Sequence, residues 1–146
     1  MKVSTKGRYG LRVMMDLASS FGQGPVLVGS IAKNQEISGN YIRILLAALK
    51  ATGLVRAVRG PTGGYELSCE PGKITVLDIV RALEGYTWPV ACVARDEWCP
   101  RSKRCAARDV WGELASAMEK VLSEITLEEL VSRQRAKVEK DMMFHI

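Results

Sequence analysis

The sequence predicts a mainly α-helical protein with a small β wing, in which a winged helix-turn-helix precedes a long dimerisation helix. Three observations support this fold class. Apolar residues recur at helical spacing through most of the chain, a turn rich in glycine separates two short strand-like runs, and positive charge is concentrated in the first half. The 146 residues, 47% of them hydrophobic, suit one globular domain with a dimerisation arm.

The composition also excludes several classes of protein. No apolar run approaches the roughly 18 residues that span a bilayer, and the first residues contain no apolar signal-peptide core. We therefore expect a cytoplasmic protein with no membrane partner. His145 is the only histidine, so neither a His-centred catalytic triad nor a His-rich metal site is expected. The protein is predicted not to be an enzyme.

The first helix is predicted to begin at the N-cap residue Ser4 and to stop at Gly22, Gly24 and Pro25. The apolar residues at helical spacing that follow the cap are Leu11, Met14, Met15, Ala18 and Phe21. Residues 26–28 are predicted to form a small strand.

Residues 30–36 are predicted to form a two-turn helix, with Ile31 and Ala32 facing inward. Ser38 then caps a longer helix that Gly53 ends. The apolar side of this longer helix consists of Ile42, Leu45, Leu46 and Leu49. Two helices in this order form a helix-turn-helix, whose second helix enters the major groove of DNA.

The open face of the longer helix carries candidate DNA contacts. Asn40 and Arg43 lie in its first turn and a half, where Asn pairs bidentately with adenine and Arg with guanine. Lys50 is better placed for a phosphate. The alternative is an ordinary amphipathic core helix.

A basic hairpin follows, with strands predicted at residues 54–59 and 64–68. Gly60, Pro61 and Gly63 lie in its turn, and Arg59 at its tip suits a narrow minor groove. The alternative is a turn without a binding role. Charge favours binding, because residues 1–65 carry a net charge of +7 and residues 66–146 one of −2. A solvated basic face without a partner remains the alternative to a polyanion-binding half.

The second half is predicted to contain a helix that Thr75 caps and that ends at Glu84, followed by a loop to about Arg104. A helix of about 20 residues, roughly 30 Å long, begins at Ala106. Its apolar stripe predicts packing against a second chain, the alternative being packing within its own chain. The predicted regions are a DNA-binding domain (1–84), a cysteine loop (85–105), dimerisation helices (106–138) and a flexible tail (139–146).

Three cysteines, Cys92, Cys99 and Cys105, lie in the loop with intervals of six and five residues. This is not the spacing of structural zinc sites, and three thiolates among several Arg and Lys residues suit an iron–sulfur cluster. A switchable thiol pair, zinc bound together with Cys69, and unligated thiols remain open. Cys69 itself is predicted to be a small buried residue.

These segments resemble the Rrf-two (Rrf2) family of winged-helix transcription regulators, and within it the iron–sulfur cluster-binding branch of the IscR and NsrR type. The similarity runs from residue 1 to about residue 135. The matching segments are STKGRYG at 4–10, Ile37, Ser38 and Tyr41 around the start of the recognition helix, GLV at 53–55, RGPTGGY at 59–65 and ITL at 125–127.

The resemblance implies a homodimer that binds a partly palindromic DNA operator, with a cluster that tunes DNA binding and with cluster-assembly proteins as partners. It implies control of cluster-biogenesis or stress genes in response to cluster status, redox state or nitric oxide, as a repressor or an activator. Cys92, Cys99 and Cys105 would hold a two-iron or four-iron cluster. The implied DNA-binding residues are Ser38, Asn40, Tyr41, Arg43, Lys50, Arg59 and Gly60.

The chain departs from the family pattern at the fourth ligand. The IscR type has a histidine three residues after the third cysteine, where this chain has Arg108. Arg8 stands where an acidic ligand from a partner's first helix would align. Asp109 is the first candidate for the fourth ligand, and the others are Asp96, Glu97, Cys69, a partner residue or a small exogenous molecule.

A cluster-free regulator is the alternative function. It would work through a thiol switch or a protein partner, and Trp88 and Trp98 in the loop favour the partner because tryptophan is enriched at binding hot spots.

Overall fold

A computed structural model describes residues 2–85 and 89–145 of the chain. Within them the chain forms helices and one antiparallel hairpin, and the helix-turn-helix, the hairpin and the later long helices follow in the predicted order. The elements are α1 (Thr5–Ser19), α2 (Val28–Gln35), α3 (Gly39–Ala51), β1 (Val55–Val58), β2 (Gly64–Leu67), α4 (Val76–Glu84), α5 (Ala91–Ala94), α6 (Ala106–Glu124) and α7 (Leu127–Phe144).

Helix α1 begins as predicted, because the Ser4 hydroxyl accepts a hydrogen bond from the backbone N–H of Gly7 at 3.1 Å. It ends at Ser19, before the predicted stop at Gly22. The placement of Phe21 among the helically spaced residues of α1 was wrong. Phe21 lies beyond the helix, and 44% of its surface is exposed.

The helix-turn-helix differs from the prediction at its start. Helix α2 begins at Val28 rather than at residue 30, so the predicted strand at 26–28 is reduced to one bridge. Val26 forms that bridge with Tyr65 of the hairpin, through two N–H to oxygen hydrogen bonds of 2.8 Å. Helix α3 follows the prediction closely, because the Ser38 hydroxyl accepts from the N–H of Tyr41 at 3.3 Å.

The hydrophobic core lies between α1, α3, α4 and the first turns of α7. It includes all four members of the apolar stripe predicted on α3, each fully buried. Burying a side chain of this size contributes about 1.5–3 kcal/mol to stability. The largest fully buried side chains are Met14, Leu17, Ile31, Ile42, Leu45, Leu46, Leu49, Ile74, Ile79, Leu127, Val13 and Val55.

Helices α4 and α7 begin side by side at an antiparallel bridge between Thr75 and Thr126, each the N-cap of its helix. The N–H of Val76 donates to the carbonyl of Ile125 at 2.9 Å, and that of Leu127 to the carbonyl of Ile74 at 2.8 Å. This bridge attaches the start of α7 to the core of the N-terminal domain.

Helix α6 packs on α4 through the fully buried Ala115 and an ion pair between Arg81 and Glu119 at 2.7 Å. Val110 and Val121 are exposed on another side of the helix, and Trp111, one turn before Ala115, is exposed as well. Helix α7 was predicted to end at residue 138, and it continues to Phe144. The exposed apolar side chains of its last two turns are Val138, Met142, Met143 and Phe144.

The segment predicted as an irregular loop contains regular structure. Helix α5 and two 3-10 turns, at Asp96–Trp98 and Ser102–Arg104, lie within it. Residues 86–88, which include Trp88, lie outside the described residues. In the described ranges, no helix has the length and apolar character needed to cross a membrane.

Asp16 on α1 provides a test of the fold. Burial raises the pKa of its carboxyl above the usual range, against the opposing effect of hydrogen bonds from Asn34 and Gln35. A carboxyl with a raised folded-state pKa stabilises the fold at low pH and loses this contribution as pH rises through that pKa. We therefore expect Asp16→Asn to raise the melting temperature at neutral pH, with the gain shrinking towards about pH 4.

Thermal unfolding followed by circular dichroism at both pH values measures this effect. Asp141→Asn on the exposed end of α7 is the matched control and should change neither melting temperature. A lower melting temperature for Asp16→Asn at neutral pH would contradict the prediction, since the hydrogen bonds would then outweigh the burial.

Candidate DNA-binding surface and cysteine loop

The outer face of α3 presents the predicted DNA contacts to solvent. Asn40, Arg43 and Lys50 are exposed, as is Ser38 at the helix start. Because an α-helix rises 1.5 Å per residue, residues 40 to 50 extend along about 15 Å. The guanidinium of Arg43 donates to the Asn40 side-chain oxygen at 3.3 Å, so these two side chains lie together on the first turns.

Ile44 was missed in the sequence analysis, although 58% of its surface is exposed on the same face. The signal was available, since the buried stripe leaves position 44 beside Arg43 and Ala47 on the open side. An exposed isoleucine at this position suits apolar contact with a thymine methyl group.

Tyr41 is partly buried against α1, whereas the other predicted contacts on α3 are exposed. Its ring meets that of Tyr9 on α1 edge to face, with 6.1 Å between the centroids and 80° between the planes. The side chain is half-buried, so one part of it packs against α1.

The wing forms as predicted. Strands β1 and β2 pair in an antiparallel register from Val55 opposite Leu67 to Val58 opposite Gly64. Arg59 and Gly60 follow at the exposed tip, where Gly60 adopts φ +113° in the region that favours glycine.

The wing is attached to the domain through β2, where Tyr65 forms the bridge to Val26. An ion pair of 2.8 Å between Arg56 and Glu66 holds β1 to β2 across the hairpin. The wing tip therefore extends from a fixed base.

The three loop cysteines occupy the segment between α4 and α6. Cys92 lies in α5, Cys99 follows the first 3-10 turn, and Cys105 is the N-cap residue of α6. All three are half-buried. Just before the loop, Glu84 at the end of α4 accepts a hydrogen bond from the N–H of Ser4 at 3.2 Å and another from its hydroxyl. The start of the loop is thereby joined to the start of α1.

Arg108 fastens the loop to α6. Its Nε donates to the carbonyl oxygen of Cys92 at 2.8 Å, and its Nη2 forms an ion pair with Asp96. Arg108, at the position where the IscR type is expected to have a histidine, therefore holds this segment by hydrogen bonds. Beside it, the guanidinium of Arg95 stacks over the Trp98 ring at 5.2 Å from the centroid.

The donor set fits an iron–sulfur centre in its chemistry, because three thiols lie within one short basic segment. The three thiols are not positioned as the ligands of a preformed metal site. Across residues 2–85 and 89–145, no group of three His, Cys, Asp or Glu side chains lies close enough together to hold a metal ion.

The candidate fourth ligands differ in their exposure and in their contacts. Cys69 was predicted to be buried, which was wrong, because it is exposed at the end of the hairpin. The carboxylate of Asp96 is engaged by Arg108. Glu97 and Asp109 are exposed, Asp109 in the first turn of α6.

Comparison with known proteins agrees with this architecture. The sequence model of the family described as "Rrf2: Iron-dependent Transcriptional regulator" matches residues 3–133. The HTH-type transcriptional regulator CymR of Bacillus subtilis (strain 168) is 40% identical over 144 residues, which cover 99% of each chain.

Two solved structures are similar in fold and sequence. The structure of CymR (YrzC), the global cysteine regulator of B. subtilis, has a TM-score of 0.78 at 41% identity, and the alignment covers 91% of this chain and 98% of that one. The structure of T. potens IscR has a TM-score of 0.74 at 39% identity, with coverage of 92% and 88%.

The turn of the wing allows a test by one methyl group. A Cβ atom at Gly63 would clash with the carbonyl oxygen of Val58 and lie 2.9 Å from that of Gly60. Gly63→Ala should therefore distort the tip and weaken DNA binding about tenfold, while the core stays folded. Titration of a DNA duplex and circular dichroism measure the two effects. Gly29→Ala, where no atom lies within 4 Å, is the control. Unchanged DNA affinity in Gly63→Ala would contradict a role for the wing.

Arg108 allows a second test. Removal of its side chain by Arg108→Ala should free the loop, and amide hydrogen exchange in residues 91–104 should become about three- to tenfold faster. Arg101→Ala, which removes an exposed arginine of the same loop, should leave exchange unchanged. Equal exchange in both variants would show that Arg108 does not hold the loop.

Proposed function

The chain belongs to the Rrf2 family of DNA-binding transcription regulators, and from this premise we propose which of its residues read DNA and what its cysteine loop senses. One observation carries the proposal. The last of three neighbouring cysteines is the N-cap of the long helix whose exposed apolar face remains uncovered in a single chain. A change at the thiols therefore acts directly on α6.

For DNA recognition we assign the major groove to α3 and the minor groove to the wing. Asn40 and Arg43 read base edges, and Ser38 lies beside them at the helix start. Lys50 contacts a phosphate, and Arg59 with Gly60 enters the minor groove. Tyr41 contributes through the half of its side chain that α1 leaves uncovered. The exposure of the charged members of this set supports the assignment.

For assembly we propose a homodimer that acts on operator DNA in the cytoplasm. The exposed apolar side chains of α6 suit burial against the same helix of a second copy, since a self-complementary surface closes a two-fold dimer. Two recognition helices related by that symmetry would read the two half-sites of a partly palindromic operator.

For sensing we propose that Cys92, Cys99 and Cys105 hold an iron–sulfur cluster supplied by cluster-assembly proteins. Such a group provides a centre that iron supply, oxidants and nitric oxide alter. The chain's own residues supply thiolates, and the neighbouring Arg and Lys side chains offset negative charge. The loop lies directly between the end of α4 and the start of α6. Its state therefore determines how firmly α6 is held at its N-terminal end.

A cluster-free sensor is the second candidate, and the contacts of Arg108 favour it. They already fasten the loop to α6 without any bound group. One of the similar structures is that of a global cysteine regulator, a role that suits sensing through thiols or a protein partner. In this case the cysteines respond by oxidation, and exposed Trp98 belongs to the partner surface.

The DNA-binding assignment predicts a graded set of losses. Arg59→Ala should weaken binding about tenfold or more, because it removes a cation from the minor groove, whereas Lys33→Ala on exposed α2 should have little effect. Lys50→Ala should lower the slope of log affinity against log salt by about 0.9, the value for one phosphate contact. Equal small effects of Arg59→Ala and Lys33→Ala in fluorescence anisotropy titrations would refute the wing assignment.

The sensing proposal is tested on protein purified without oxygen. We expect visible charge-transfer absorption with iron and sulfide in fixed proportion to protein, and the ratio distinguishes two-iron from four-iron clusters. Cys92→Ala and Cys105→Ala should lose both. Cys69→Ala removes the one cysteine outside the loop and should keep both, and a loss in this variant would make Cys69 the fourth ligand. If the parent stays colourless after reconstitution and its DNA affinity differs between oxidised glutathione and dithiothreitol, the thiol-switch candidate replaces the cluster.

A further inference from the structure

Two side chains of α1 grip the last turn of α2. Arg12 and Asp16 lie four residues apart and therefore on the same face of α1. The Arg12 Nη2 donates to the backbone carbonyl of Gln35, and its Nε donates to the Gln35 side-chain oxygen at 3.2 Å. Gln35 is the last residue of α2, so Arg12 satisfies a carbonyl that the end of the helix leaves unpaired.

Asp16 contacts the same turn at the preceding residue, Asn34. Both of its carboxylate oxygens accept from the Asn34 amide, at 3.2 and 3.3 Å. This arrangement costs stability, since burial raises the pKa of the Asp16 carboxyl. The Arg12 guanidinium thus holds Gln35, and the Asp16 carboxylate holds the side-chain amide of Asn34, so two consecutive residues at the end of α2 are fixed.

The gripped turn leads directly into the recognition helix. Glu36 follows it with φ +55°, the one positive value at a non-glycine residue among those described. Three residues after Gln35, Ser38 caps α3. The same arginine also reaches that helix by a second route, because its guanidinium lies over the Tyr9 ring at 5.4 Å from the centroid and Tyr9 meets Tyr41 of α3.

We propose that Arg12 and Asp16 form a positioning clamp that sets the angle between α2 and α3, and thereby the orientation in which the recognition helix meets DNA. Neither residue is assigned a contact with bases or phosphates. The clamp contacts the turn from α1, outside the helix-turn-helix, and acts in addition to the buried Ile31 and Ile37, which pack α2 and the turn into the core. This inference rests on the proposed role of α3 in reading DNA.

The clamp makes a prediction that a phosphate contact does not. Loss of a phosphate contact weakens binding to all duplexes alike and lowers the salt slope by about 0.9. Loss of a positioning contact instead weakens binding to a cognate sequence, while non-specific binding and the salt slope persist, because the phosphate-binding charges remain.

The experiment compares two DNA probes. One is a duplex that the parent protein selects from a randomised library, and the other is an unselected duplex of the same length. For Arg12→Ala and for Asp16→Ala we expect about tenfold weaker binding to the selected duplex. Binding to the unselected duplex should change less than about twofold, with the salt slope unchanged.

Arg8→Ala is the matched control. Arg8 also lies over the Tyr9 ring, at 5.9 Å, but its hydrogen bond goes to Thr5 on its own helix and not to α2. It should retain the preference of the parent for the selected duplex. Asp16→Asn keeps an oxygen acceptor for Asn34 and should restore most of the affinity lost in Asp16→Ala. Circular dichroism checks that each variant is folded under the binding conditions.

The outcomes separate the clamp from the proposed function. Equal losses on both duplexes with a lower salt slope would make Arg12 a phosphate contact and overturn the clamp. Unchanged preference in Arg12→Ala and Asp16→Ala would overturn it as well. In either case, a loss of preference in Arg43→Ala would leave the role of α3 intact. Unchanged preference in Arg43→Ala itself would reject that role.

Discussion

The antiparallel bridge between residues 74–76 and 125–127 is the constraint on which the rest of the structure depends. It places the starts of α4 and α7 side by side, with Leu127 fully buried in the N-terminal domain. The two ends of residues 76–126 are thus held side by side. The chain that contains the cysteine loop and α6 therefore leaves the DNA-binding half and returns to it at the same place. The segment that we propose as the sensor therefore cannot move as an independent domain.

The two halves of the chain are joined at the bridge between Thr75 and Thr126 and where α6 packs on α4, with an ion pair between Arg81 and Glu119. Glu84 joins the end of α4 to Ser4 at the start of α1, and within the second half Arg108 joins the cysteine loop to α6. The outer face of α3 takes part in none of these contacts. The residues proposed to read DNA, those proposed to orient the recognition helix and those proposed to sense therefore occupy separate positions along the chain.

Local rules predicted most of the fold and part of the candidate site. The caps at Ser4, Ser38 and Thr75, the stripe of α3 and the wing all follow from neighbouring residues, and each was confirmed. Interactions between distant segments were beyond these rules. Val26 pairs with Tyr65 and so becomes a bridge rather than a strand, and the apolar character of Cys69 indicated burial although the hairpin end leaves it exposed. The grip of Arg12 on Gln35 spans 23 residues and has no periodic signal.

Helix α6 is held at two places. Buried Ala115 and the pair of Arg81 with Glu119 lie at its middle on α4, and the bridge at residues 125–127 follows directly after its last residue. The part before Ala115 lies beyond both attachments, begins after Cys105 and is about 15 Å long. A bend of about 10° at Ala115 moves Cys105 by roughly 2.6 Å, close to the length of one hydrogen bond. A displacement of that length at Cys105 is therefore enough to redirect the N-terminal half of α6 while its C-terminal half stays in place.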